Sequence, residues 1–364
     1  MAPTSLIIAP PVRPPISVLA CSRLPIDGPP SQVSARTLQM GCMKFGILQF
    51  FSWPERRVAL PTVYQRALQR IEIMDKTGYD CVWLTEHHFS DYSVCPSIPV
   101  MGTYAAARTK RLRIGAGVTL AAFYHPLRLA EELALLDLLS EGRVNWGAGR
   151  GFDAREFRTF NIPMQESYPR FHEVVEIVLK AWTHERLTHQ GQFFSFEDIE
   201  VLPKPLQHPH PPMWVAAGSP EAITWAASAG YSVLTGPHAT HTELGETKRV
   251  YKKKLGEAGY SMTGRDLPMA RLLAIASTDT EAATIARQGA QWLLKTYVDA
   301  RLLNMGDDPV QRYVDSVVIH GTPERVLDEI LRLHEEIDLE YMIGAPLSHE
   351  TFMSFTEKVL PKLL

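Results

Sequence analysis

From Met43 to the C-terminus, short runs of β-branched and aromatic residues alternate with longer stretches whose apolar residues recur at helical spacing. That is the pattern of repeated strand–helix units around a parallel sheet. The runs at 44–49, 81–84, 112–118, 144–149, 213–217, 232–234, 269–276 and 339–343 predict eight strands. Helices are expected at 61–77, 98–108, 127–140, 169–183, 220–229, 242–258, 281–300 and 323–336, with a last one at 349–360. Gly78, Gly142 and Gly230 follow three of them as stop signals, and Ser219-Pro220 and Thr322-Pro323 read as caps followed by a proline in the first turn. Eight alternations with no polar linker dividing them argue for an α/β fold made of a single (β/α)8 TIM barrel over two doubly wound domains. A Rossmann pair should carry G-x-G-x-x-G after its first strand, yet Gly46 is followed by Ile47-Leu48-Gln49-Phe50. Residues 187–201 alternate apolar and polar positions around Gly191 and predict a β-hairpin inserted on the barrel rim.

Residues 1–42 break the pattern. Eight prolines interrupt them and neither periodicity appears, so they are expected to be a disordered leader or the product of a start codon upstream of a natural Met43. The barrel domain is then 43–364.

Composition narrows the class of function. With 45% hydrophobic and 21% charged residues the chain has enough apolar side chains for a large core. Thirty-seven Lys and Arg against 40 Asp and Glu give a net charge of −3, which argues against nucleic acid or an anionic membrane as the main partner. No stretch is long and apolar enough for a membrane helix. Cys21, Cys42, Cys81 and Cys95 form no C-x-x-C pair, so a reducing, cytoplasmic setting without a cysteine-built metal site is expected.

In a barrel the chemistry gathers where strands end. The second strand ends in Glu86-His87-His88, and because neighbouring strand residues point to opposite sides, one imidazole is expected to be catalytic and the pair is not expected to share a metal. A hydrogen-bonded, half-buried histidine is the plainer alternative. After the fourth strand, Gly149-Arg150-Gly151 pairs a fork-shaped cation with small neighbours, which suits a phosphate. After the fifth, Gly218-Ser219-Pro220 begins a helix whose free amides favour an anion, although helix capping alone also explains Ser219. Two such elements on one rim point to a phosphorylated cofactor. His208-Pro209-His210 has no metal-binding spacing around it, and no G-x-S-x-G nucleophile elbow is present.

The stretches EHHF at 86–89, REFRTFNI at 155–162 and AAGSPEAITWAASAG at 216–230, with the long run 112–152, resemble the bacterial luciferase-like flavin-dependent monooxygenase family. The resemblance implies a barrel that binds FMN, receives it reduced from a separate flavin reductase, and uses oxygen to oxygenate a small apolar organic substrate. It implies His87 as the catalytic histidine, exchanging a proton with the flavin–oxygen adduct or the substrate. Arg150 and the amides of Gly218 and Ser219 match phosphate contacts, Gly117-Val118 matches a non-proline cis peptide against the flavin ring, and Glu156 matches an acidic group in the flavin's surroundings. Gly149 stands where luciferase has a reactive thiol, and its missing side chain is expected to widen the cavity beside the flavin. With Ala222 and Asp153 also departing from luciferase, the resemblance does not extend to light emission from an aldehyde. Phe50, Phe51, Trp53, Phe89 and Phe152 are expected to hold the substrate at the mouth. A deazaflavin-dependent hydride transfer, or flavin binding without turnover, are the alternatives on the same fold. A homodimer is expected from the family, and no metal.

Overall fold

A computed structural model describes residues 43–296 and 308–364. The predicted leader and the last four residues of the helix expected at 281–300 lie outside the described residues. All eight predicted strands are present. They are β1 (Lys44–Gln49), β2 (Cys81–Leu84), β3 (Arg113–Ala116) continued by β4 (Thr119–Leu120), β5 (Val144–Gly149), β8 (Met213–Ala216), β9 (Ser232–Leu234), β10 (Met269–Ile275) and β12 (Tyr341–Pro346). The hairpin strands β6 (Leu187–Gln190) and β7 (Ser195–Ile199) pair antiparallel, as the alternation around Gly191 predicts.

The parallel strands run in the order β10, β12, β1, β2, β3, β5, β8, β9, with β4 beside β5. At the two ends of this path, the Val233 N–H of β9 donates to the Asp266 carbonyl just ahead of β10 at 3.1 Å. Helices α1 (Leu60–Lys76), α2 (Ile98–Arg108), α3 (Pro126–Leu139), α5 (Ser167–Thr183), α6 (Pro220–Ser228), α7 (His241–Glu257), α8 (Asp279–Thr296) and α10 (Pro323–Ile337) follow the strands. Ser219 and Thr322 cap α6 and α10 by accepting the N–H of Ala222 and Arg325, and Gly142 and Gly230 take positive φ at helix ends, all as the sequence predicts.

Three elements escape the sequence reading. The six-residue α4 (Ala154–Thr159) is too short to show a period. Helix α9 (Pro309–Val317) runs directly into an added edge strand, β11 (Val318–Gly321), which pairs with β10. The last predicted strand is also displaced: β12 extends to Pro346, opposite Leu273, through a Gly-Ala-Pro that reads as a turn in isolation. At the C-terminus, α11 (His349–Ser354) gives way to a π-helical turn at Phe355–Val359.

The barrel interior is filled from its base by Cys81, Trp83, Trp214, Tyr341 and Ile343. Trp83 meets Trp214 edge-on at 4.9 Å. A Cβ on Gly115 would stand 2.4 Å from the Trp83 ring, so glycine there is what admits the indole. This plug raises the floor on which the mouth cavity rests.

Candidate functional site

Above the plug lies a cavity of about 770 Å³, lined by His87, Gly117, Val118, Gly149, Arg150 and Gly218 among others. Glu156 and Ser219 stand one step behind the wall, Glu156 on the His87 ring and Ser219 as the cap of α6. Residues separated by more than a hundred positions thus converge on one space because each follows a strand end at the same rim.

The two histidines part, although β2 ends at Leu84 and both lie in the loop that follows it rather than in the strand. His87 lines the cavity, and each imidazole has its own buried carboxylate. Glu156 Oε1 lies 3.3 Å from His87 Nδ1 and accepts the His88 backbone N–H at 2.8 Å. Glu86 Oε1 lies 3.3 Å from His88 Nε2 and accepts the Leu120 N–H at 3.4 Å, while the Tyr124 hydroxyl donates to Oε2 at 2.8 Å. Burial raises the Glu86 carboxyl above its ordinary range, against the pull of the His88 and Tyr124 hydrogen bonds. Burial, then the nearby Glu86 charge, raises the Tyr124 hydroxyl, which therefore stays a donor. Glu86 ties the end of β2 to the β4 segment, and so holds the strand that carries the cavity floor.

That floor contains the Gly117–Val118 peptide, which is cis. Gly149 and Val118 both line the cavity, and a Cβ on Gly149 would lie 2.5 Å from Val118 Cγ2. The space that a side chain at 149 would need belongs to Val118.

At the other end, half-buried Arg150 donates from Nη1 to Ser167 Oγ at 3.2 Å, and its guanidinium lies 4.7 Å from the centre of the Tyr168 ring. Nothing lies within 4 Å of a Cβ placed on Gly218, so the backbone there is open to a ligand. Ser167 and Tyr168 were not expected in the site. The sequence signals them only by their place just before Pro169, where the helix at 169–183 is predicted to begin.

Of the five aromatics expected at the mouth, Phe50 and Phe152 line the cavity. Phe51 does not: it is fully buried and packs toward Tyr64, because it faces the opposite way from its neighbour Phe50. Trp53 turns away to donate its indole N–H to the Val58 carbonyl at 2.7 Å. Phe89 is exposed and leans on Phe160. Tyr92, which the sequence reading missed, completes the wall instead, edge-on to His87 at 4.8 Å and to Phe50 at 5.4 Å. Among the described residues no group of three or more His, Cys, Asp or Glu could hold a metal ion, and no helix is long and apolar enough to cross a membrane.

Comparison with known proteins places this arrangement. The chain is 31% identical over 178 residues to the oxygenase component of a flavin-dependent trigonelline monooxygenase from Acinetobacter baylyi, covering 48% of this chain and 49% of that protein. It is 26% identical over 278 residues to limonene 1,2-monooxygenase of Rhodococcus erythropolis, covering 74% and 71%. The chain spans about half the length of the first curated relatives that it matches. Among solved structures, monooxygenase RslO1 from Streptomyces bottropensis superposes with a TM-score of 0.79 at 29% identity, covering 88% of this chain and all of that one. The sequence pattern of the luciferase-like monooxygenases matches residues 43–338, and the chain belongs to that family.

Proposed function

We propose that the mouth cavity binds FMN and that the protein is the oxygenase of a two-component flavin-dependent monooxygenase, acting on a small apolar organic substrate. The observation that carries this reading is that Arg150, Gly218 and His87 line a single cavity floored by Gly117 and Val118. The residues present fit the group. Arg150 supplies a fork-shaped cation, Gly218 an open backbone beside the start of α6, and Ser167 and Tyr168 a polar and an aromatic support behind the guanidinium. Reduced FMN, when bound, supplies the electrons that activate oxygen.

The chain's own residues do the rest. Arg150 and the Gly218–Ser219 amides hold the phosphate, Val118 and Gly149 form the surface beside the ring, and Glu156 places a carboxylate at the edge of the site. His87 takes or gives a proton in the cavity, a task suited to the one side chain that ordinarily titrates near neutrality. Phe50, Tyr92 and Phe152 exclude water and give the substrate an apolar wall.

A partner reductase is part of this proposal, supported by the trigonelline relative's description as an oxygenase component. A homodimer is supported by the apolar side chains that α2 and α3 leave exposed, with Val100 72% and Leu139 56% accessible beside Tyr104 and Leu135. Cys81 and Cys95 are free thiols, consistent with work in the cytoplasm.

The test is an anaerobic titration with chemically reduced FMN, followed by oxygen and a panel of small organic substrates. Oxygen consumption coupled to an oxygenated product is the expected result. Preference for a deazaflavin with hydride transfer, or FMN binding with no product across the panel, would replace the proposal by one of its alternatives.

A further inference from the structure

Glu156 is placed for a duty that its position in the helix does not explain. It is the third residue after Asp153, the N-cap of α4, which is the spacing at which a glutamate reaches back to its own cap and closes a capping box. The same chain makes that box at α7, where Thr240 and Glu243 bond reciprocally. At α4 the box is absent. Asp153 accepts the Arg155 N–H at 2.8 Å, and Glu156 turns inward to the dipeptide His87-His88. Its side chain is 1% exposed, and Oε2 has no partner among the described residues. A buried carboxylate oxygen without a donor costs stability, so this arrangement is not the one that would best support the fold.

We infer that Glu156 is a positioning residue for His87: it holds the imidazole with its proton on Nδ1, leaving Nε2 as the bare nitrogen of a ring that lines the cavity. The inference rests on the reading of His87 as the group that handles the proton. An ionised carboxylate only accepts, so the ring nitrogen facing it carries the hydrogen, and a neutral imidazole has no second one. The backbone N–H of His88 pins the same Oε1 at 2.8 Å, which fixes the acceptor's position relative to the chain that carries the ring. The other faces of His87 do not compete for Nδ1. Tyr92 and Phe152 meet the ring edge-on at 4.8 and 5.9 Å. Asp153, an acid that also senses the His87 charge, is held by Arg155 at 2.8 Å. His88 is engaged with Glu86.

The test is the ¹⁵N spectrum of His87 in the full chain without added flavin, assigned through His87→Gln, at a pH where the ring is neutral. The expected result is the Nδ1–H tautomer in the unmodified protein and in Glu156→Gln, whose side-chain carbonyl still accepts. In Glu156→Ala the Nε2–H form usual for free histidine should take over. Oxygenation should fall about 10–100-fold in Glu156→Ala, the scale seen for carboxylates that orient metal-bound imidazoles, and recover in Glu156→Gln to the extent that the Nδ1–H tautomer does. A proton on Nε2 in the unmodified protein overturns the inference, and so does an unchanged tautomer in Glu156→Ala. Because the unmodified protein alone decides the first point, a variant that fails to fold does not blunt the test. If His87→Ala keeps full oxygenation, the functional reading fails while the tautomer result stands; the reverse pair of results removes the role of Glu156 alone.

Discussion

The base and the mouth of the barrel use the same kinds of residue in opposite ways. At the base, the Trp83 indole donates to the Tyr341 hydroxyl at 2.9 Å, and that hydroxyl donates to Asp80 Oδ2 at 3.0 Å. Arg113 donates to Asn145 Oδ1 at 2.9 and 2.7 Å and to the Val144 carbonyl at 2.8 Å. Most donors there meet acceptors inside a packed plug, the buried Trp214 indole N–H being an exception among the described residues. At the mouth, among the described residues, Glu156 keeps one buried oxygen without a partner, Gly218 faces open space, and the Arg150 guanidinium is braced by Ser167 and Tyr168 with no carboxylate in an ion pair with it. Polar groups that are satisfied by the protein hold the barrel together, and polar groups left open beside a cavity are the ones available to a ligand.

The division can be broken from either side. His87→Ala should reduce oxygenation by about 10²–10⁴-fold while leaving the melting temperature and FMN affinity nearly intact, measured as product formed from reduced FMN and oxygen. A loss of fold with no specific loss of rate would move His87 to the structural side. Trp83→Ala should cost about 3–5 kcal/mol in urea unfolding, because Gly115 and its neighbours leave a void that no side chain can fill. Tyr341→Phe is a milder cut at the same end. It strands the Trp83 N–H and should cost about 1–3 kcal/mol, with the oxygenation rate per folded molecule unchanged; a change in rate would show that base and mouth are coupled.

The smallest expected effect lies at neither end. His241 is pushed down to about 4, first by burial and then by the charge of Arg271. The unfolded chain binds this proton near 6.5 and the folded one only near 4, so stability should fall as pH drops through that interval. His241→Asn should make the fall shallower in unfolding titrations, and an unchanged slope would assign the acid sensitivity elsewhere.

Much of this was legible in the chain because strands buried on both faces leave short apolar runs bounded by caps and glycines. Where that punctuation is missing the reading fails. Nothing separates Val317 from Val318, so α9 and β11 escaped notice. The rim residues His87, Arg150 and Gly218 could be proposed because a strand end fixes where a residue stands. The direction of a side chain is less legible in a loop, which is why Phe51, Trp53 and Phe89 were expected in a wall that Tyr92 helps to form. The Glu156–His87 contact spans 69 positions, and no local period reports it.

The account rests on a phosphate held at Arg150 within the same cavity as His87. The most direct test compares the affinities of FMN and riboflavin for the unmodified protein and for Arg150→Ala. The unmodified protein should bind FMN more tightly than riboflavin, and Arg150→Ala should lose about 10–100-fold toward FMN while riboflavin binding stays the same, the loss of a charge-assisted contact. Equal affinities in the unmodified protein, or a preference for FMN that survives in Arg150→Ala, would contradict it.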